Sequence, residues 1–234
     1  LNTIVAKQLT DFKKEVDALI DKKNLKKDEA VFNVLREYIK TSKRIRFDGD
    51  GYSVDWEKEA KKRKLSNNKN TPDALRVLAT KEVVKLFGDM GVMSEVELNA
   101  HREVELGAYV FHIQIEGRVL GEMVNNYVIP AVVKYQNQLL QNVQGFKEVY
   151  GAGHKKLVGP QLDILQKMAG HLDEVKKQTD AMIEARKKAN ALTDITKKAE
   201  AYCNEVRPFF ESIRYHADRL ERLVADEHWP FTKY

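Results

Sequence analysis

The sequence predicts an all-α protein: an elongated helical bundle with one very long Pro-kinked helix and a C-terminal antiparallel coiled-coil hairpin. Three observations carry this. Gly, at 12, and Pro, at 5, are sparse in 234 residues, which favours long helices over many turns. The run from about Ser94 to Tyr150 keeps a helical pattern, with Pro130 set inside it. In the last third, apolar residues recur at alternating spacings of three and four, the pattern of helices that pack along a seam.

Segment 1–44 reads as a helical hairpin. Ile4, Val5, Leu9, Phe12, Val16, Leu19 and Ile20 are at helical spacing, and Asn24 is a stop signal. A second helix follows from about Asp28 to Ser42, with Ala30, Val31, Val34, Leu35, Tyr38 and Ile39 on its inner side.

Segment 45–93 is irregular. Gly49 and Gly51 beside Asp48 and Asp50 are turn chemistry. Short helices are expected at 55–64, 72–78 and 80–87. The middle one would be opened by Thr71 as N-cap, with Pro72 at the first helical position.

Segment 94–150 is the long central helix. Such a helix is not stable by propensity alone, so other helices are expected to cover its apolar side. Gly151, Gly153, Gly159 and Pro160 then suggest a hinge, and 151–234 holds the coiled-coil hairpin and tail. Its first helix carries Leu165, Met168, Leu172, Val175, Thr179 and Met182, with Arg186 and Ala189 continuing the register. Its second carries Ala199, Tyr202, Val206, Phe209, Ile213, His216, Leu220 and Leu223, with Pro208 expected to kink it. The four segments are expected to form one domain overall.

Composition bounds the function. The chain is 43% hydrophobic and 32% charged, enough to bury a core. Its net charge of +5 comes from 40 basic against 35 acidic residues, so the charge is mixed and is weak evidence for a nucleic-acid partner. Cys203 is the only cysteine, which rules out an internal disulfide and suits a reducing compartment. No stretch approaches the roughly 20 apolar residues of a membrane span. The first residue is Leu1 rather than Met, so the chain reads as a piece of something longer.

No motif for catalysis, cofactor binding or metal binding emerges from the residues. Glu103, Glu105, Glu116 and Glu122 could serve a di-iron bundle, but that site needs Glu-x-x-His pairs. The residues three before each of the six histidines include no Glu. Ion pairing with residues such as Arg102 or Arg118 is the preferred reading. DGDGYSVDWEKE imitates a calcium loop through Asp48, Asp50 and Glu59, yet Tyr52 and Ser53 stand where an acid or amide and a glycine are required. His112 with Glu116, and Glu97 with His101, lie four apart and read as ordinary hydrogen-bond pairs. Cys203 reads as a buried, inert thiol. The basic clusters Lys61, Lys62, Arg63, Lys64 and Lys22, Lys23, Lys26, Lys27 lack interleaved aromatics and read as solvated helix faces.

The order LNTIVA, FDGDGYSVDWEKEAKKRKL, NTPDAL, REVELGAYVFHIQIEGRVLGEMVNNYVIPA and a terminal WPFTKY resembles the C-terminal region of type III glutamine synthetases, over nearly the whole chain. Its sharpest pieces are GYSVDW followed by Glu59 and Ala60, the step Thr71 to Leu75, and IEGRVLGEM leading to Ile129, Pro130 and Ala131. The family usually has KRGL where this chain has Arg63, Lys64 and Leu65. The resemblance implies a parent enzyme, a glutamate–ammonia ligase of nitrogen metabolism. It would join ammonia to glutamate with ATP and Mg2+ or Mn2+ in a cytoplasmic double-ring homo-oligomer.

The family's metal and nucleotide contacts belong to a preceding catalytic barrel, so no catalytic, cofactor or metal residue carries over. The region is then expected to support that barrel and sister subunits, inactive alone, without cofactor, nucleic acid or membrane. The rival expectation is a stand-alone interaction module whose 162–226 hairpin captures a partner helix.

Overall fold

A computed structural model describes residues 1–233; Tyr234, the last residue of WPFTKY, lies outside the described residues. The fold is all-α, with no strand among the described residues. The chain divides into two compact units, Leu1–Val104 and Glu105–Tyr234.

In the first unit, α1 (Asn2–Lys23) and α2 (Lys27–Thr41) form the expected hairpin, ended at Asn24 in the left-handed conformation. Val16, Ala30 and Val34 are its buried centre, flanked by Phe12, Leu19, Ile20, Leu25, Val31 and Tyr38. Phe12 meets Tyr38 edge-on at 5.8 Å, and the Tyr38 hydroxyl donates to Glu15 at 3.0 Å. Residues 12 and 38 level with each other, as are 16 and 34, make the pair antiparallel.

The irregular segment holds α3 (Val54–Lys62), α4 (Thr71–Arg76) and α5 (Lys81–Asp89). Ser53 caps α3 by accepting from the Trp56 amide at 3.1 Å. The cap of α4 is Asn70 and not Thr71. Its Oδ1 accepts from the Asp73 amide at 2.9 Å while its Nδ2 donates to Asp73 Oδ2 at 2.7 Å. Asn competes at least as well as Thr for this role, because its amide both accepts and donates.

The α3 C-terminus is a Schellman turn: the Leu65 amide bonds the Ala60 carbonyl at 2.9 Å and the Lys64 amide the Lys61 carbonyl at 3.1 Å. That geometry requires a left-handed residue next to the cap, and Lys64 supplies it at φ +57°. Gly91, at φ +64°, performs the same task after α5.

The long helix begins at a capping box. The Ser94 amide donates to Glu97 Oε2 at 2.8 Å, and Ser94 Oγ accepts from the Glu97 amide at 3.3 Å. It runs as α6 (Glu95–Met123), a π-helical turn Val124–Val128, and α7 (Ile129–Tyr150). The unit boundary falls within α6. Pro130 has no amide proton to give its i−4 carbonyl, and the helix meets it with a wide turn whose last bond runs from the Ile129 amide to Val124.

The same device recurs before Pro208. A π-helical turn, Tyr202–Val206, separates α10 (Ile195–Ala201) from α11 (Pro208–Leu223), and the Arg207 amide bonds the Tyr202 carbonyl at 2.9 Å. At the segment expected to be a hinge, residues 151–157 form a 3-10 turn, Gly151–Gly153, and one α-helical turn, α8 (His154–Leu157).

In the second unit, α9 (Gly159–Ala191) packs against α11 as the heptads require. Met168, Val175, Met182 and Ala189 recur every seven residues, as do Ala199, Val206, Ile213 and Leu220, and all are buried. The antiparallel register sets Met168 level with Leu220, Val175 with Ile213, Met182 with Val206 and Ala189 with Ala199. Of the other seam positions, Thr179 and Tyr202 are fully buried as well, whereas Leu165, Leu172, Arg186, Phe209, His216 and Leu223 are half-buried. Asp194 caps α10 by accepting from the Lys197 amide at 2.8 Å. The tail folds on α7 and the π-helical turn before it: Phe231 meets Tyr127 of that turn at 5.8 Å, and His228 Nε2 lies 2.6 Å from Gln138 Oε1 of α7.

Candidate docking interface

At 100° per residue, Leu106, Val110, Ile113, Gly117 and Gly121 form one stripe of α6 that continues into Val124 of the π-helical turn, and Phe111, Ile115 and Val119 form another roughly opposite. The first stripe is buried. It closes on the hairpin, where the position of a Gly121 Cβ would lie 3.6 Å from Met182 and that of a Gly117 Cβ 3.4 Å from Phe210. The second stripe is bare: Phe111 is 59% exposed, Ile115 43% and Val119 46%. An amphipathic helix ordinarily carries one apolar stripe facing a core; this one carries two, and only one of them is covered.

The first unit has a comparable feature. On α2, Phe32, Leu35 and Ile39 lie at spacings of three and four and are 64%, 46% and 58% exposed, while Ala30 and Val34 face α1. Fully covering one such large side chain stabilises a complex by about 1.5–3 kcal/mol before the costs of association are counted.

The residues weighed for chemistry are placed apart from one another. Glu103, Glu105, Glu116 and Glu122 are exposed rather than buried, so water already satisfies them. Of the anticipated ion pairs, Arg118 Nε to Glu122 at 3.0 Å forms on the surface. Glu97 turns to Ser94, whose amide is the first cause holding its carboxyl below the usual range, instead of to His101. Of the calcium-like loop, Asp50 Oδ1 accepts from the Tyr52 amide at 2.9 Å and Glu59 pairs with Arg63 at 2.7 Å. Among the described residues, no group of three or more His, Cys, Asp and Glu could hold a metal ion.

Arg63 is withdrawn from the basic cluster. It donates to the carbonyls of Arg44 and Arg46 at 3.2 and 2.6 Å, and it lies 5.9 Å from the ring centroids of Phe47 and Trp56. Lys61, Lys62 and Lys64 are exposed, as are Lys22, Lys23, Lys26 and Lys27. Cys203 is half-buried, not fully buried, because the buried seam positions of this turn are its neighbours Tyr202 and Val206. It lies beside Tyr109, whose phenol is pushed well above its ordinary pKa, first by burial and then by the thiol. Sequence reasoning missed one pairing, His171 with His216, whose Nδ1 atoms are 3.0 Å apart. The seam register contained the signal, since His216 is a seam position and His171 is level with it.

No helix among the described residues is long and apolar enough to cross a membrane. Fold and surface together define an all-α protein built on a long helix with two apolar faces, one of them unpartnered. Residues 30–147 match the family described as the glutamine synthetase C-terminal domain, and the chain belongs to that family.

A glutamine synthetase of Bacteroides fragilis (strain YCH46) is 38% identical over 235 residues, which cover 100% of this chain and 32% of the relative. A type-3 glutamine synthetase of Dictyostelium discoideum is 31% identical over 236 residues, again 100% of this chain and 32% of the relative. A glutamine synthetase of Butyrivibrio fibrisolvens is 28% identical over 206 residues, 88% of this chain and 29% of the relative. The chain spans about a third of the length of these curated relatives. In them the corresponding region is part of a larger chain.

Proposed function

We propose that this chain is the helical C-terminal part of a type III glutamine synthetase, where it buttresses a catalytic barrel and contributes to contacts between subunits. The reaction of the whole enzyme is the ATP-dependent ligation of ammonia to glutamate in the cytoplasm. ATP and Mg2+ or Mn2+ are bound by the barrel, and this part is inactive alone.

The observation that carries the reading is the bare stripe of Phe111, Ile115 and Val119, set opposite a buried stripe on the same helix. A surface of this kind is tolerated where another part of the protein covers it. The hairpin seam is a poorer docking site, because Met168, Val175, Met182 and Ala189 are already covered within the unit. This weighs against a stand-alone helix-capture module.

The test replaces both Phe111 and Ile115 by Asp in the full-length enzyme that carries this chain. The expected result is a loss of the large oligomer and of glutamine formation. Because both side chains are exposed, the same double variant of the 234-residue chain should unfold at an unchanged denaturant concentration. Wild-type oligomer mass and activity in the full-length variant would sink the reading.

A further inference from the structure

Arg186 stands in the hairpin seam register, between Met182 and Ala189, where the pattern calls for an apolar residue. Its Nε is buried and has no hydrogen-bond partner. A buried, unsatisfied cationic donor is costly and asks for a partner. Arg186 is also close enough to the Tyr202 phenol for its charge to act on it.

Beside Arg186, entirely within the second unit, is a cleft of about 240 Å³. Gly117 and Gly121 form one wall with bare helix backbone, and Asn125 and Asn126 of the π-helical turn form the end. The Gly117 wall lies against the arginine stem, since a Cβ there would be in ordinary contact with Arg186 Cδ at 3.8 Å. The wide turn that accommodates Pro130 is the same element that brings both asparagine amides to the cleft. Glu122 also lines it, but its Oε1 accepts from Arg118 Nε at 3.0 Å on its own helix. That pairing turns Glu122 toward its own helix, while Arg186 Nε has no hydrogen-bond partner.

We propose that this cleft binds a small oxyanion, a phosphate or a carboxylate, through the Arg186 guanidinium with the Asn125 and Asn126 amides as further donors. The planar arginine fork matches both anions. The cleft is smaller than the about 300–1,000 Å³ of sites for drug-sized ligands. The ligand is therefore a free ion or a small acid and not a nucleotide.

The test titrates inorganic phosphate, and separately succinate, into the full 234-residue chain at constant ionic strength, with heat of binding and thermal midpoint as readouts. Saturable binding at one site is expected. Arg186→Gln should weaken it by about tenfold or more, the loss of one charged hydrogen-bonding partner. Arg186→Lys, which keeps charge but not the fork, should weaken it less. Asn126→Ala, at an exposed position, should weaken it severalfold without shifting the midpoint of the anion-free protein, and it decides the matter if Arg186→Gln does not fold.

Absence of saturable binding, or binding unchanged by Arg186→Lys and Asn126→Ala, would overturn the proposal. Either result would leave the docking reading untouched, since that is read from the oligomer mass of Phe111 and Ile115 variants.

Discussion

Nδ1 of His171 on α9 lies 3.0 Å from Nδ1 of His216 on α11, so the two long arms of the hairpin are joined by a pair of imidazoles. One ring must donate and the other accept. The doubly protonated pair loses this bond and sets two cations together. Tyr215 closes on both rings, at 6.5 Å from His171 and 5.1 Å from His216, and Arg219 adds a further positive charge nearby. On the same helix, Lys167 is occupied by Asp163 at 2.7 Å and Glu174 by Lys177 at 3.8 Å.

This pair makes hairpin stability depend on pH. Burial first, then His216 and Arg219, hold His171 below its ordinary value of 6.5. Between that depressed value and 6.5 the unfolded chain binds more protons than the folded one, so stability falls as pH drops through this window. The urea midpoint should therefore decline from pH 7.5 to pH 5.5, and His171→Gln should flatten the decline. Glu59 and Glu97, both held below 4.5 by their hydrogen bonds, lose their contributions only in more acid solution. A midpoint constant over this range would contradict the pairing.

Lys64→Gly should stabilise the first unit by about 0.5–1 kcal/mol. The gain is the relief of a side chain held at φ +57°, partly offset by the greater freedom of glycine in the unfolded chain. Thermal unfolding reads it directly. A lower midpoint would mean that the lysine side chain itself makes a contact worth more than the strain.

Arg63→Ala should cost about 0.5–1.5 kcal/mol, since it removes the bonds to the solvent-exposed Arg44 and Arg46 carbonyls and uncovers Phe47 and Trp56. Arg63→Lys should recover little of this, because a lysine cannot bond two carbonyls and lie along two rings together. Trp56 fluorescence follows the loosening. Full recovery by lysine would reduce the role of Arg63 to charge alone.

Ile213→Ala should destabilise the hairpin by about 2–5 kcal/mol, as a fully buried seam residue with Val175 level across from it. Phe209→Ala, half-buried on the same helix, should cost less. Equal losses would place the core elsewhere than on the seven-residue repeat.

These elements differ in how far sequence foretold them. The hairpin was legible because a seven-residue repeat survives whatever packs around it, and Met168 to Ala189 and Ala199 to Leu220 fall on it. Asn24 and Ser94 were legible as helix ends because their signals are local. Pro130 and Pro208 were visible as interruptions, but the π-helical turns that absorb them depend on whether neighbouring helices hold the axis. Asn70 outcompeted Thr71 through a bond to Asp73 that spacing allows but does not decide. The apolar character of α6 was plain, whereas the division into a covered stripe and a bare stripe needed the hairpin in place. In the sequence Arg186 only continues the heptads, and the cleft beside it arises from glycines on a different helix.

The most direct test of the central claim is hydroxyl-radical footprinting of Phe111, comparing the 234-residue chain with the full-length enzyme that carries it. The account predicts strong labelling in the chain alone, where Phe111 is 59% exposed, and marked protection in the assembled enzyme. Equal labelling in both would show the stripe uncovered and would contradict its role as a docking face.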